Sequence, residues 1–255
     1  MSSRYDGAVT IFSPDGHLLQ VEYAQEAVRR GSTVVGLCTR NCIVLGVEKK
    51  AVDPLQVERA THKIKKLDDH LIITFAGLTA DARVLINRAQ IEAQMHCLNR
   101  ERPASVEYIT RYIAKLKQQN SHTNGLRPYG VSCIIGGFDV DGKPHLFQTE
   151  PSGIYYEWQA NSTGRLGQAV RTYIEKNRSA MINAPNEVEA VKQMVRTLHL
   201  STSLGPSFFE VVVLKHNEPM TKVAPEMIAY MVQLIKQEVA EEEAKQKQQQ
   251  RTAAT

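Results

Sequence analysis

The residues that most often carry chemistry, cysteine and histidine, are spread along this chain without the spacing of a metal or redox site. The four cysteines are Cys38, Cys42, Cys97 and Cys133. No two of them form a CxxC pair, and no histidine stands at zinc-ligand spacing from them. In a chain of 255 residues this pattern predicts free, buried thiols rather than two disulfides.

Motifs for nucleotide, metal and serine chemistry are absent from the sequence. It contains no GxGxxG or GxxxxGKS/T segment, which would cradle a phosphate, and no HExxH or GxSxG segment, which would bind zinc or present a nucleophilic serine. The eight histidines are dispersed, so each is interpreted as a surface or core residue rather than a ligand. The residues alone therefore predict no cofactor and no metal ion.

The charge of the chain gives little support to nucleic-acid binding. The formal net charge is +4, and the densest basic cluster in the body of the chain is Lys63-Ile64-Lys65-Lys66. No aromatic side chains interleave with it, as stacking on single-stranded nucleic acid would require. Residues 2–6 are polar and no apolar run reaches ~18 residues. We therefore expect neither a signal peptide nor a membrane span, and a cytoplasmic or nuclear protein.

Apolar residues at three- and four-residue steps predict helices that each bury one stripe. The first helix follows the turn signal Ser13-Pro14-Asp15-Gly16 and places Val21, Ala24 and Val28 on one side. Thr79 is the expected N-cap of the second helix. The predicted helices span residues 17–30, 79–98, 105–119, 167–176 and 186–199, and a last one begins at Pro225.

Short runs rich in β-branched residues predict strands that come in adjacent pairs. The predicted strands span residues 33–38, 43–47, 63–67, 71–75, 131–138, 145–148, 154–158 and 209–214. The strict alternation of strand and helix that is typical of a parallel sheet is absent. Two antiparallel sheets packed face to face, with helices on both outer faces, would bury every apolar stripe. We therefore predict an α+β fold, a four-layer αββα sandwich.

Neither a long linker nor an internal repeat divides the chain. One domain is predicted for residues 1–235, in which residues 1–30 form an N-terminal tail and helix. Residues 236–255 are rich in Glu, Lys and Gln and are interpreted as a solvated helix end that frays into disorder. The alternative interpretation of this charged tail is a docking platform for partner proteins.

A continuous stretch near the amino terminus carries the strongest signal of the sequence. Residues 5–24 closely resemble the amino-terminal signature of proteasome alpha subunits. Four more segments resemble the same family, namely residues 31–33, 46–50, 77–83 and 127–132. The resemblance covers the chain from about residue 4 to 235, and residues 23–28 and 106–113 are most similar to the alpha-4 branch, also called alpha type-7.

The resemblance implies a fold, a role and a set of partners. Proteasome alpha subunits have the fold of N-terminal nucleophile hydrolases but form the non-catalytic branch of that family. The resemblance implies a structural subunit of the 20S core that builds a seven-membered outer ring, gates substrate entry and docks activators in ubiquitin-dependent degradation. The expected partners are other alpha subunits, beta subunits and regulatory particles, in the cytoplasm and nucleus.

The resemblance also implies roles for five residues. Tyr5, Asp6, Pro14 and Tyr23 match the positions that hold the open gate. Lys63 matches the lysine that lines the pocket between neighbouring alpha subunits, where it would pair with the C-terminal carboxylate of an activator tail. A lysine suits this role as a point charge on a flexible stem. Each role has a simpler interpretation. Tyr5 would be an anchor in a mobile tail, and Pro14 would serve only the geometry of the turn. Tyr23 would be a helix-packing residue, and Lys63 a solvated strand lysine.

One departure from the family pattern concerns the tail. The family usually has Arg after the Tyr-Asp pair, and here the residue is Gly7, which removes a charge and adds backbone freedom. Residues 178–207 and the polar carboxyl terminus also diverge from the family. We therefore predict a specialised paralogue of a standard alpha-4 chain.

The main alternative is an active N-terminal nucleophile hydrolase. Such enzymes use a threonine, serine or cysteine whose own freed α-amine serves as the base. Aligned with catalytic beta subunits, which are freed by cleavage after a glycine, Ser32 lies at the nucleophile. Glu48 and Lys63 then lie near the acidic and lysine partners. Against this alternative, Ser32 is internal, and cleavage after Gly31 would discard the amino-terminal signature and its helix.

Overall fold

Two antiparallel sheets form the centre of the protein. The computed structural model describes residues 7–49, 55, 62–202 and 205–253. The strands are β1 (Val34–Cys38), β2 (Cys42–Glu48), β3 (Lys65–Asp68), β4 (Leu71–Gly77), β5 (Val131–Phe138), β6 (Pro144–Thr149), β7 (Tyr155–Glu157), β8 (Ala160–Thr163), β9 (Phe209–Lys215) and β10 (Thr221–Lys222). The first sheet has the order β10-β9-β2-β1-β8, and the second has the order β3-β4-β5-β6-β7.

Helices pack around the two sheets. They are α1 (Leu19–Arg29), α2 (Thr79–Arg100), α3 (Val106–His122), α4 (Gly167–Lys176), α5 (Arg178–Ile182), α6 (Glu187–Thr202) and α7 (Pro225–Ala253). A short 3-10 helix at Pro206–Phe208 precedes β9. Among the described residues, no helix combines the length and the apolarity that crossing a membrane requires.

Three apolar clusters hold the layers together. Between the sheets lies an inner cluster, in which Val34, Leu45, Ile72 and Ile134 are fully buried. A second cluster packs α2 and α3 on the second sheet, and a third packs α4 to α7 on the first sheet. The layers therefore run helix, sheet, sheet, helix, and the predicted four-layer αββα sandwich is confirmed.

Several short elements escaped the sequence analysis. The predicted strands and helices are present, with ends that differ by a few residues, but β8, β10 and α5 were not predicted. Strand β8 contains Asn161 and Ser162, which are uncommon in strands. Both residues are buried, and the Asn161 amide donates to the Gln148 side chain on β6. A polar strand of this kind is stabilised by its tertiary partners rather than by its own propensity.

The helix termini differ in part from the predictions. Thr79 is not the N-cap of α2, because Leu78 occupies that position and makes no side-chain capping bond. Ser105 does cap α3, and its hydroxyl accepts a hydrogen bond from the Tyr108 amide at 3.2 Å. Helix α3 continues to His122, three residues beyond its predicted end at residue 119.

The prediction of free, buried cysteines is correct for two of the four. All four thiols are free, but Cys97 is exposed and Cys38 is only partly buried. Cys38 packs against the inner cluster, whereas Cys42 belongs to the cluster on the opposite face of the first sheet. The two thiols therefore point away from each other. Burial raises the pKa of the Cys38 thiol to about 12.

The last helix passes through the boundary that the sequence suggested. Helix α7 begins at Pro225, as predicted, and continues across residue 236 to Ala253. Beyond residue 236, Glu238 lies 2.5 Å from Lys192 and 3.4 Å from Arg196 on α6. This start of the tail therefore packs on the domain, and the division at residue 236 stays a prediction.

A lysine lies fully buried between α3 and the second sheet. The ammonium nitrogen of Lys117 donates to the hydroxyl of Thr149 at 2.8 Å and to the carbonyl oxygen of Thr149 at 3.1 Å. The sulfur of Cys133 lies 3.6 Å away. Burial lowers the pKa of Lys117 from its ordinary value. These contacts offset the cost of removing the amine from water and fix α3 against β5 and β6.

Replacement of Lys117 tests this packing. Lys117→Ala leaves the Thr149 oxygens without a donor and opens a cavity, so we expect the free energy of unfolding in urea to fall by ~3 kcal/mol. Lys117→Met fills the volume and should lose less stability.

Because the pKa of Lys117 is lowered in the folded state, the native chain binds fewer protons than the unfolded chain up to about pH 10.4. The stability of the wild type relative to Lys117→Met should therefore rise with pH in this range, and a constant difference would contradict the interpretation.

Candidate functional site

The segment ahead of α1 forms an ordered turn. The Ser13 amide donates to the His17 carbonyl, and the Gly16 amide donates to the Ser13 carbonyl, both at 2.9 Å. Gly16 has a φ of 81°, which a residue with a Cβ adopts only with strain. Pro14 is exposed at this turn. The turn predicted from Ser13 to Gly16 is confirmed.

The expected gate residues are placed only in part. Tyr23 lies on α1 with 49% of its surface exposed, on the side opposite the buried stripe of Val21, Ala24 and Val28. Pro14 and Tyr23 thus both lie at the surface, while Tyr5 and Asp6 lie outside the described residues. The gate roles of these four residues stay predictions.

The segment that links α1 to β1 is held by backbone hydrogen bonds. The Gly31 amide donates to the Val28 carbonyl at 2.9 Å, and the Gly31 carbonyl accepts from the Arg165 amide at the same distance. Ser32 is only 3% exposed. Its hydroxyl has no hydrogen-bond partner among the described residues. The serine that aligns with a nucleophile is therefore an internal, buried residue, and no base of the described part of the chain is hydrogen-bonded to it.

Glu48 lies near this segment but is committed to other groups. One of its carboxylate oxygens accepts from the Thr33 amide at 3.3 Å, and the other lies 2.5 Å from the Arg165 guanidinium. The Leu166 amide donates to the Thr33 hydroxyl at 3.3 Å. These bonds fasten the start of β1 to β2 and to the turn before α4. The acidic residue stabilises the fold here rather than activating Ser32.

A polar cavity of about 340 Å³ opens between α1 and α4. Its walls include Gln25 and Arg29 from α1, Ser132 from β5, Arg165 just before α4 and Arg171 on α4. Ser32 is not among the residues that line it. Within the described part of the chain, no group of histidine, cysteine and carboxylate side chains is placed to hold a metal ion.

Lys63 lies just before β3, at the edge of the second sheet. Its ammonium nitrogen is 5.6 Å from the centre of the Phe75 ring. Its backbone amide donates to the carboxylate of Glu210 at 3.3 Å. Lys63 is partly buried, so its aliphatic stem packs while its charge stays near solvent. Sequence reasoning missed Glu210, because it is distant in the chain from Lys63.

One ion pair joins two of the segments that resemble proteasome alpha subunits, residues 77–83 and 127–132. Arg127 donates from both of its terminal nitrogens to the two carboxylate oxygens of Asp81, at 2.6 Å each. The Gly130 amide donates to the same carboxylate at 3.0 Å. Burial alone would raise the pKa of Asp81, but these hydrogen bonds outweigh it and leave the pKa below the ordinary value. The pair fixes the start of α2 to the loop that enters β5.

Comparison with known proteins agrees with these observations. The family model described as proteasome subunit matches residues 28–214, and the model of the N-terminal signature of A-type proteasome subunits matches residues 5–27. The chain is similar to three proteins among others. The proteasome alpha type-7-1B subunit of Drosophila virilis is 61% identical over 94% of this chain and 97% of that protein. The alpha type-7-1 subunit of the same species is 54% identical over 97% of this chain and 99% of that protein. The alpha type-8 subunit of Mus musculus is 50% identical over 95% of this chain and 97% of that protein.

The two model matches adjoin each other and together span residues 5–214, which include all of β9 except its last residue. Each of the three relatives is matched over nearly its whole length. The amino-terminal signature distinguishes alpha subunits within the broader proteasome family, as the resemblance of residues 5–24 implied. The chain therefore belongs to the proteasome alpha-subunit family.

Proposed function

We propose that this protein is a non-catalytic subunit of the outer, seven-membered ring of the 20S proteasome, which takes part in ubiquitin-dependent protein degradation. The observation that carries the proposal is the position of Ser32. Its backbone runs on from α1, it is buried, and its hydroxyl has no partner among the described residues. A nucleophile of this fold needs a free α-amine, which an internal serine lacks.

Freeing Ser32 would also damage the domain. Cleavage after Gly31 would detach α1, which buries Val21, Ala24 and Val28 against the body of the protein. Each buried apolar side chain of this size contributes roughly 1–3 kcal/mol. The helix is thus part of the folded domain rather than a disposable leader, and the hydrolase alternative is not favoured.

Assembly with other subunits is supported by the outward face of α2. This face carries Val84, Ile91, Met95 and Leu98, of which Leu98 is 81% exposed. The opposite face of the same helix packs Leu85 and other apolar residues on the second sheet. A helix that is apolar on two sides is typical of a protein that binds partners. The proposed partners are neighbouring alpha subunits, beta subunits and regulatory particles, in the cytoplasm and nucleus.

The amino-terminal segment is proposed to contribute to the substrate gate. Pro14 stands at an ordered turn and Tyr23 at the exposed face of α1, so both are available to a neighbouring chain. With Tyr5 and Asp6 they would support the open gate. Gly7 stands where the family usually has an arginine. It would make the tail more flexible and remove one positive charge from it.

Lys63 is proposed to receive the terminal carboxylate of an activator tail. Its ammonium group lies beside the Phe75 ring at the edge of the second sheet, where a partner's chain end can approach. A lysine near the surface attracts a carboxylate without requiring a fixed geometry.

The chain is also proposed to be a specialised paralogue. It is 61% identical to the type-7-1B subunit of Drosophila virilis but 54% identical to the type-7-1 subunit of the same species. The greater similarity to the first of two coexisting forms supports this proposal.

The mass of the assembled subunit tests the non-catalytic role. In particles purified from the source cells, native mass spectrometry with release of subunits should find this chain with residues ahead of Gly31 still attached. Ser32→Ala should leave the peptidase activity of the particle unchanged, because the hydroxyl serves no described partner. A released chain that begins at Ser32 would make the protein an enzyme and overturn the proposal.

Activator titrations separate docking from gating. Lys63→Ala should raise the activator concentration for half-maximal peptide hydrolysis about tenfold and leave the maximum unchanged. Tyr23→Ala should lower the maximum without changing that concentration. Lys66→Ala is the control, since this exposed lysine lies three residues further on, in β3, and pairs with Asp69 in the adjoining turn. A wild-type titration curve for Lys63→Ala would contradict the docking role.

Tissue expression tests the paralogue proposal. Transcript measurements should find this chain restricted to few tissues, with a second alpha-4 gene expressed broadly. Uniform high expression in every tissue, together with the lack of a second alpha-4 gene in the genome, would count against it.

A further inference from the structure

The chain ahead of β3 is held by a residue of the other sheet. The first ladder pair of β3 joins Lys65 to Ile73 of β4, so residues 62–64 precede the described ladder. The backbone amide of Lys63 donates instead to a carboxylate oxygen of Glu210, on β9 of the first sheet, at 3.3 Å. This bond joins the two sheets at the place where the polypeptide enters the second one.

Glu210 occupies a position that the strand pattern reserves for an apolar side chain. Its strand neighbours Val212 and Leu214 belong to the inner cluster between the sheets. Val211 belongs to the cluster that packs α4 to α7 on the first sheet. By alternation Glu210 faces inward, opposite Val47 of β2. The residue is only 5% exposed. A carboxylate so placed is costly unless charged or donor groups surround it.

Three residues on two elements supply those groups. The imidazole nitrogen Nδ1 of His62 lies 3.0 Å from Oε1 of Glu210, within ion-pair distance although off the direction of a hydrogen bond. The ammonium of Lys222, on β10, lies 4.0 Å from the same oxygen. The other oxygen accepts from the Lys63 amide. The carboxylate on β9 is therefore the common partner of a residue on β10 and of two residues in the segment that leads into β3.

This arrangement determines where the Lys63 side chain emerges. Ile64 is buried in the inner cluster, so the side chain of Lys63 points to the opposite face of the second sheet. There its ammonium lies over the ring of Phe75, a member of the cluster that packs α2 and α3 on the second sheet. If the backbone at residue 63 shifted, the direction of the ammonium group would shift with it.

We propose that Glu210 is the positioning residue for Lys63. Its carboxylate holds the backbone of residues 62 and 63 to the first sheet and thereby presents the Lys63 ammonium to an anionic chain end. The proposal rests on the docking function proposed for Lys63. It assigns a role in activator affinity to a residue whose side chain is itself buried within the subunit.

The test measures affinity in assembled particles. The probe is a synthetic peptide that ends in a free carboxylate and opens the wild-type particle, and the same peptide with a C-terminal amide gives the background. Glu210→Gln keeps the shape of the side chain but removes the negative charge that lies beside His62 and Lys222. We expect the peptide concentration for half-maximal opening to rise about fivefold, with an unchanged maximum.

The control removes a carboxylate that pairs with the other end of β9. Glu187→Gln, on α6, breaks the ion pair with Lys215, in which Oε2 of Glu187 lies 2.7 Å from the ammonium. This variant should leave the half-maximal concentration unchanged. A purely structural role for Glu210 would lower the yield or melting temperature of particles but not the affinity of those that form.

The outcomes distinguish the two proposals. If Lys63→Ala leaves the titration unchanged, the docking role of Lys63 is wrong. If Lys63→Ala weakens the response and Glu210→Gln does not, only the positioning role is wrong. Should Glu210→Gln fail to enter particles, Lys222→Met and His62→Gln remove partners of the carboxylate and leave it in place. A smaller rise in half-maximal concentration for either supports the proposal, and wild-type curves for both overturn it.

Discussion

The face-to-face packing of the two sheets is the constraint on which the rest of the structure depends. Their inner faces contribute a layer of fully buried aliphatic side chains, among them Val34, Leu45 and Ile134. Gly36 and Gly136 lie where a Cβ would come within 2.8 Å and 2.7 Å of an isoleucine methyl of the opposite sheet. The sheets can approach this closely only because those positions lack side chains. Each outer face is apolar as well, so helices must cover it.

Buried carboxylates then fix the edges of this sandwich. Glu48 holds β1 to the turn before α4, Asp81 holds α2 to the loop before β5, and Glu210 holds the start of β3 to the first sheet. In each case the partner is distant in sequence. The loss of one partner would leave a charge in a region of low polarity, which costs more than the pair contributes. These hydrogen bonds and ion pairs specify the arrangement of the elements more than they add to the total stability.

The same architecture supports the proposal that this chain is a non-catalytic member of its fold. The segment around Ser32 is continuous with α1, and its backbone is bonded to Val28 and Arg165. The acidic residue that could assist a nucleophile is bound to the Thr33 amide and the Arg165 guanidinium. The parts that a hydrolase would use for chemistry here hold a helix in place, next to a tail and a charged edge that are proposed to meet other subunits.

The sequence by itself determined the type and order of most elements, because apolar periodicity and turn residues act locally. Val131–Phe138 and Gly167–Lys176 were predicted with their observed bounds. The resemblance of residues 5–24 identified the family before any contact was known. Only the tertiary structure decided the polar strand β8, the exposure of Cys97, and the partners of Lys117 and Glu210. The physical reason is that burial and charge pairing depend on residues far away in the chain, and the local pattern at either partner does not record the other.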